Sequence, residues 1–562
     1  MWAYLLSVVL IVVGSLSASQ NYVQLADPVY PFLDRLATQG MIPGFLNDTK
    51  PLTRDYIAEY LAKVEQQEGQ LSAVDRRILR EFLADYRMEL TAEPYFLLED
   101  EENESTYFLF QSLGQIKEGL SRTLDYRNSQ EALHTFVYET DSEFIWIDWA
   151  EMLQYEAKNN AGRLLYHDGF RITGGFGDHF SGYMDLSRYV YQPKSEYVQP
   201  PHEFTGGWRY TGDDGANFHS FDYSHGYLQY SSVAGNFLLG TYPLYWGNGP
   251  NSMILSNSVP AFAHVGWNKL FLRAKYSFIH GSLLSIDTTA IDSTGEKLST
   301  NKYLVGHRLE LIPFSKLHIT VSEMIIYGNR DIELAYLVPP VLLLSTEHNL
   351  VDRDNLLVAL EFEYYPWDGL KFYGGLLLDE LRLQDILKAH WANKQGVQIG
   401  TQLTPTIFGK PTEFTGEFTA VRPWTYTHKF AYNTYTHDSR GLGFSPGPNS
   451  QQWYVRNQWW LNERQTLSFE YRYLQHGIES LEPTDPGYYP IGSDPNQNYD
   501  ERNEAFDAST EWLMGDIRKS QTFGISWNYQ MSNVLTIDLG YRFATTESGT
   551  DHFTSFQIRF DY

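Results

Sequence analysis

Arg422, Trp424, Tyr426 and His428 alternate along one short stretch, Arg422-Pro423-Trp424-Thr425-Tyr426-Thr427-His428. The pattern sets two aromatic faces between a guanidinium and an imidazole. Flat aromatic faces suit the C–H side of a sugar ring, and planar polar groups suit its hydroxyls. A second stretch, Trp246-Gly247-Asn248-Gly249-Pro250, again places an aromatic ring beside an amide. Glu347 and Asp379 add carboxylates from two further segments. These eight residues are the candidates for a glycan-binding rim. Two plainer roles compete with that one. Trp and Tyr at strand ends anchor proteins at membrane interfaces, and Arg422 with Glu347 or Asp379 makes an ion pair that holds loops together.

The same inventory points away from catalysis. Asp379 and Glu380 are adjacent, so on a strand they face opposite ways and cannot work as one acid–base pair. The sixteen His are scattered without a His-Glu-x-x-His spacing. Asp494, Asn496, Asn498 and Asp500 imitate the start of a calcium loop. Tyr499 stands where the turn glycine belongs, however, and Ala505 where the bidentate Glu belongs. The segment is expected to be a solvated loop, and neither a metal site nor a cofactor is expected anywhere.

Strands must position these residues. In 521–545, Phe523, Ile525, Trp527, Tyr529 and Met531 alternate with small or polar residues. After Ser532-Asn533, Leu535, Ile537, Leu539, Tyr541 and Phe543 do the same. Period-two alternation separates an apolar face from a polar one. Runs of about ten residues match a tilted strand crossing a bilayer. The chain closes on a similar strand with Phe556, Ile558, Phe560 and Tyr562 on one face. Short turns near Ser532-Asn533, 462–465, 405–410, 366–369 and 313–316 alternate with long loops near 476–520, 423–451, 381–394, 328–354, 292–302 and 244–268. That rhythm predicts an all-β transmembrane barrel over 106–562, with about 18 antiparallel strands (roughly 16–20) and both ends periplasmic. Asp538, Arg542, Glu470, Arg472 and Arg559 are expected to face a polar lumen.

Composition agrees. The chain has 41 Tyr and 14 Trp in 562 residues, enough for two aromatic girdles. Mean hydropathy of −0.38 excludes a helical membrane protein. A net charge of −27 argues against nucleic acid, whose phosphates need clustered Lys and Arg. The absence of Cys suits an exported chain and rules out thiol chemistry. Residues 1–19 resemble a signal peptide, an apolar run ending in Ser17-Ala18-Ser19, although its start lacks Lys and Arg. Residues 20–92 carry helical spacing in three segments, from Val29 toward Met41, from Arg54 toward Glu68 with Thr53 as cap, and from Ser72 through Leu83. They are expected to form a small bundle. The acidic residues within 93–105 are expected to be a solvated linker.

Three blocks resemble the capsule assembly Wzi family of outer-membrane proteins. They are Leu239-Gly240-Thr241 through Tyr245-Trp246-Gly247-Asn248-Gly249-Pro250 to Leu255-Ser256; Tyr336-Leu337-Val338-Pro339 through Glu347 and Asn355 to Leu376-Leu377-Leu378-Asp379-Glu380; and Glu417 through Arg422–His428 to Pro446-Gly447-Pro448. Pro31 to Leu36 and Pro51-Leu52-Thr53-Arg54 are similar to the family's helical opening. The resemblance implies a many-stranded outer-membrane barrel with a plugged lumen and lectin-like attachment of capsular polysaccharide. A related branch resembles surface gliding machinery. The insertion at 476–520 and the acidity have no counterpart in that pattern. Three functions therefore stand: a polysaccharide anchor, a porin-like channel, and a scaffold for export or surface-machinery proteins in which 476–520 binds a partner.

Overall fold

The computed structural model describes residues 21–91, 106–108, 134–140, 143–177, 179–193, 208–210, 219–291, 297–351, 353–379, 389–532 and 534–561. The expected signal peptide and acidic linker lie outside the described residues.

Eighteen antiparallel strands close into a ring. In chain order they are β1 Glu143–Lys158, β2 Ala161–Phe176, β3 Phe180–Pro193, β4 His219–Ser232, β5 Gly235–Thr241, β6 Ala263–Phe271, β7 Ala274–Leu283, β8 Lys302–Phe314 and β9 Leu317–Gly328. The second half comprises β10 Asn355–Trp367, β11 Leu370–Asp379, β12 Lys394–Leu403, β13 Lys410–Val421, β14 Ser450–Asn462, β15 Gln465–Ile478, β16 Asp516–Gln530, β17 Leu535–Thr546 and β18 Gly549–Asp561. β18 pairs with β1 and seals the ring, so no long edge is left open.

Register explains why these sequences choose the barrel. Phe523 lies opposite Phe543, Ile525 opposite Tyr541, Trp527 opposite Leu539, and Leu539 opposite Phe556. Each pairing stacks apolar on apolar along one outward row. Phe523, Ile525, Leu539 and Tyr541 are about 40% exposed, as a lipid-facing row must be in the protein taken alone (Ile525 40%, Leu539 41%). A one-residue slip would turn the whole row into the lumen.

Among the described residues, four α-helices precede the ring: α1 Val29–Thr38, α2 Arg54–Glu65, α3 Ala73–Asp85 and α4 Arg87–Thr91. α1 buries Val29, Phe32, Leu33 and Leu36, the helical stripe legible in its sequence. Ser72 caps α3 by accepting the Asp75 amide at 3.0 Å. Thr53 does not cap α2 with its side chain. It sits in an extended bridge with Tyr22, and the Arg54 amide donates to the Asn21 carbonyl instead, at 2.8 Å.

The bundle rests on the end of the ring where the connections are short. Arg77 pairs with Glu463 (3.2 Å) and Arg464 with Glu81 (3.3 Å), both at the β14–β15 turn. Inside the bundle Arg35 pairs with Asp75 at 2.6 Å and lies over the Trp460 ring. The bundle therefore covers the short-turn mouth of the ring.

Asp34 of α1 ties bundle to wall. It accepts from Lys371 Nζ (2.8 Å) and from Gln402 Nε2 (2.7 Å) on β11 and β12. Burial opposes its ionisation, but the Lys371 charge and these hydrogen bonds outweigh burial and hold the carboxyl well below its usual value. A carboxyl depressed in the folded state stabilises fully above its unfolded pKa of 3.8 and loses that contribution only as pH falls further. Amide exchange in α1 is therefore expected to be unchanged between pH 7 and pH 5 once corrected for intrinsic rates. The Asp34→Asn variant should exchange faster at both pH values.

Candidate functional site

Two chain segments meet inside the barrel. Thr49–Lys50, entering from the bundle, pairs with Tyr245–Trp246, which descends from the long β5–β6 connection at the other end. Arg308 on β8 fixes the first of them: Nε donates to Thr49 Oγ1 (2.9 Å), Nη2 to the Asp48 carbonyl (3.3 Å), and Nη1 to Ser322 and Glu361. Lys275 on β7 donates to the Thr49 carbonyl (2.8 Å) and pairs with Glu310 (3.3 Å).

All eight sequence candidates are buried, none above 6% exposure. Trp246 packs in the lumen with Met253, Leu304 and Leu357. Asn248 spends its amide hydrogens on the carbonyls of Phe362 (2.9 Å) and Gly374 (3.1 Å). Asp379 accepts the Tyr426 amide, and the Tyr426 hydroxyl donates to the Met253 carbonyl (2.7 Å). Burial raises the Tyr426 phenol. Arg422 Nη2 donates to the Thr510 carbonyl at 2.6 Å. Trp424 packs with Trp391 and Ala392, and its amide donates to the Gly492 carbonyl (3.1 Å). His428 meets Tyr499 edge to face at 5.6 Å. The structure thus brings 422–428 together with Asp379 above the lumen and puts Trp246 and Asn248 deeper. Glu347 stands apart, in the helix α5 Leu343–Asn349 of the β9–β10 connection.

Trp424 and Tyr426 hold φ of +70° and +73°. Bulky residues enter that region only when their surroundings force it, at a cost of about 1–3 kcal/mol each. Such strain gathers at functional segments. Here it presents ring and amide alternately to Asp379 and to the 479–515 connection.

That connection, part of the 476–520 insertion expected to bind a partner in the scaffold reading, also forms a surface cleft. Between it and the 438–447 segment opens a cleft of about 650 Å³, lined by Tyr488, Glu479, Glu482, Asp494, Asn496 and Gln497 among others. Glu479 is held by Ser493 Oγ (2.8 Å) and Gln497 Nε2 (2.6 Å). Burial resists its ionisation, yet those bonds and the Ile491 amide win and keep the carboxyl below its usual range. Elsewhere on the 423–449 connection, Phe430 and Tyr432 stack at 5.1 Å, with Phe430 open to solvent. Asp494 and Asn498 turn their side chains onto the Asn496 and Asp500 amides, the local bonding of a plain loop. Gly443-Phe444-Ser445-Pro446-Gly447 has the spacing of a serine-hydrolase elbow, but it lies in a loop leading into β14, where an elbow needs a following helix.

The sequence profile of the capsule assembly protein Wzi matches residues 154–551. The chain belongs to the capsule assembly Wzi family. Its fold resembles a solved Escherichia coli structure described as Wzi, an outer-membrane protein involved in group 1 capsule assembly and a carbohydrate-binding β-barrel. The TM-score is 0.55 and identity 13%, over 98% of this chain and 100% of that one. Pseudomonas aeruginosa OccK7 (OpdD) gives 0.43 at 9% identity over 75% and 99%, and OpdK with vanillate gives 0.43 at 8% over 75% and 98%. No curated protein matches the sequence. The Wzi fold accounts for the ring, and the described residues contain no helix long and apolar enough to cross a membrane.

Proposed function

We propose that this Wzi-family barrel holds capsular or other exported polysaccharide at the cell surface, without catalysis. The cleft between 438–447 and 479–515 carries the reading. It is open, it lies at the long-loop end that faces outward in such barrels, and it combines a tyrosine ring with amides and carboxylates suited to sugar hydroxyls. Arg422, Trp424, Tyr426 and His428 serve it by fastening the loops that form its walls, while Trp246, Asn248 and Asp379 hold the segment beneath.

The test compares shed with cell-bound polysaccharide, with total synthesis measured alongside. Removing the protein should move polymer into the medium at unchanged total output. Tyr488→Ala, which alters only a cleft side chain, should shed more than the parent strain. Unchanged pools in both strains would sink the anchor reading. Steady open channels of the purified barrel in planar bilayers would favour the porin-like alternative. If trimming 479–515 leaves retention intact but abolishes capture of a partner, the scaffold reading gains instead.

A further inference from the structure

The β9–β10 connection does not rise above the barrel. It folds down over the outer wall. Strand parity shows this, because Arg308, Ser322 and Glu361 face the lumen and residues at odd positions of β8 and β9 therefore face outward. Outward-facing Val305, Ile325 and Tyr327 are 0% exposed, whereas the outward rows of β16 and β17 are open. The cover is Tyr336 and Leu343 of this connection, which pack on them together with Phe278 and Leu356. The Tyr276 hydroxyl donates to the Pro339 carbonyl. Tyr276 lies seven positions down β7 from its outer end at Leu283, about 23 Å of strand. Arg330 and Asp354 clasp the base with two bonds of 2.8 and 2.6 Å.

Beneath the segment lies a polar pair that hydrocarbon would not accept bare. His307 and Glu323 are register partners, both facing outward. An exposed charge there is costly. His307 is buried beside the Tyr276 and Phe278 rings, and Glu323 accepts the Leu343 amide at the start of α5 (3.0 Å).

The other side of the segment is apolar. Leu334, Val338, Val341 and Leu342 are exposed, Leu334 at 73%, and residues 334–346 carry no charged side chain, while Arg330, Asp331 and Glu347 flank them. Outward Leu360, Phe362 and Val321 on the neighbouring strands continue the same surface. Irregular backbone survives in hydrocarbon only if its polar groups are satisfied. Pro339 and Pro340 have no amide to satisfy. The Tyr336 amide donates to Glu333, Val341 to Val338 and Thr346 to Leu342, each at 3.1 Å.

We propose that residues 334–346 form a strap embedded in the membrane, whose outer face takes the acyl chains of the outer leaflet. Over β7–β10 the lipid contact is then shared between the strap and the strand positions it leaves bare, such as Val321, Leu360 and Phe362.

The absence of cysteine makes the test direct. Nitroxide labels go on Leu334→Cys and Leu342→Cys, with Val455→Cys on the bare outward wall and Thr484→Cys on an exposed loop as references. Each full-length variant is reconstituted into phosphatidylcholine vesicles, and collision with oxygen is compared with collision with a water-soluble nickel complex. The strap labels should shift to the oxygen-rich, nickel-poor ratio of Val455→Cys. A ratio like that of Thr484→Cys would put the strap in water and overturn the proposal. Exclusion of both reagents would also overturn it, showing a protein cover such as a second copy.

Discussion

Arg308→Ala is expected to free the N-terminal segment from the barrel wall and to destabilise the protein by about 3–5 kcal/mol. Arg308 is fully buried and is shared by the wall and the entering segment: Ser322 and Glu361 on one side, Thr49 and the Asp48 carbonyl on the other. Truncation leaves the buried Glu361 without its cation, and Glu310, which also feels the Arg308 charge, is left to Lys275. Desolvated charge that has lost its partner is the expensive case, whereas replacing both members by apolar groups of similar volume is close to neutral. The double variant Arg308→Met with Glu361→Leu should therefore recover much of the barrel's stability without restoring the bonds to Thr49 and Asp48. Urea unfolding read by heat-modified gel mobility measures the first quantity. Limited proteolysis of residues 21–91 measures the second. A single variant as stable as the parent would show that water reaches this part of the lumen and screens Glu361.

Much of the ring was legible because alternation is a local property. Phe523 through Met531 and Leu535 through Phe543 declare which face is apolar, and a barrel leaves that face outward all the way round. The helical bundle was legible for the same reason, from the stripe in α1 and the helix start at Ser72, whereas the cap expected at Thr53 is not made. The candidate site was legible only as composition. Trp424 with Arg422 looks the same in sequence whether the ring meets a sugar or Trp391, since the difference lies in a partner loop far along the chain. The 479–515 connection has no periodicity to announce a cleft. The uncharged run 334–346 reads equally well as rim, core or lipid contact, and only strand parity on β8 and β9 shows which wall it covers. Glu347 was grouped with the rim for that reason, although the fold places it outside the lumen.

Trp424→Ala tests whether the buried cluster governs the open cleft. Trp424 is 4% exposed, packed on Trp391, and so close to Gly492 that a Cβ added there would lie 2.4 Å from the Trp424 amide nitrogen. Removing a buried Trp ring costs about 3–5 kcal/mol. The ring sits between two surface connections and not within the strand ladder, so the loss falls on the local opening of 489–514 and not on the barrel. Amide exchange across 489–514 should accelerate while the strands stay protected, and polysaccharide should move into the medium as it does for Tyr488→Ala. Trp424→Gly separates the ring from the backbone. Glycine accepts φ of +70° without strain, so it relieves the conformational cost that alanine keeps. If the ring is what holds the cleft, the two variants shed polymer equally. If the strained backbone is what matters, glycine and alanine will differ, and the aromatic packing against Trp391 will have been the lesser part.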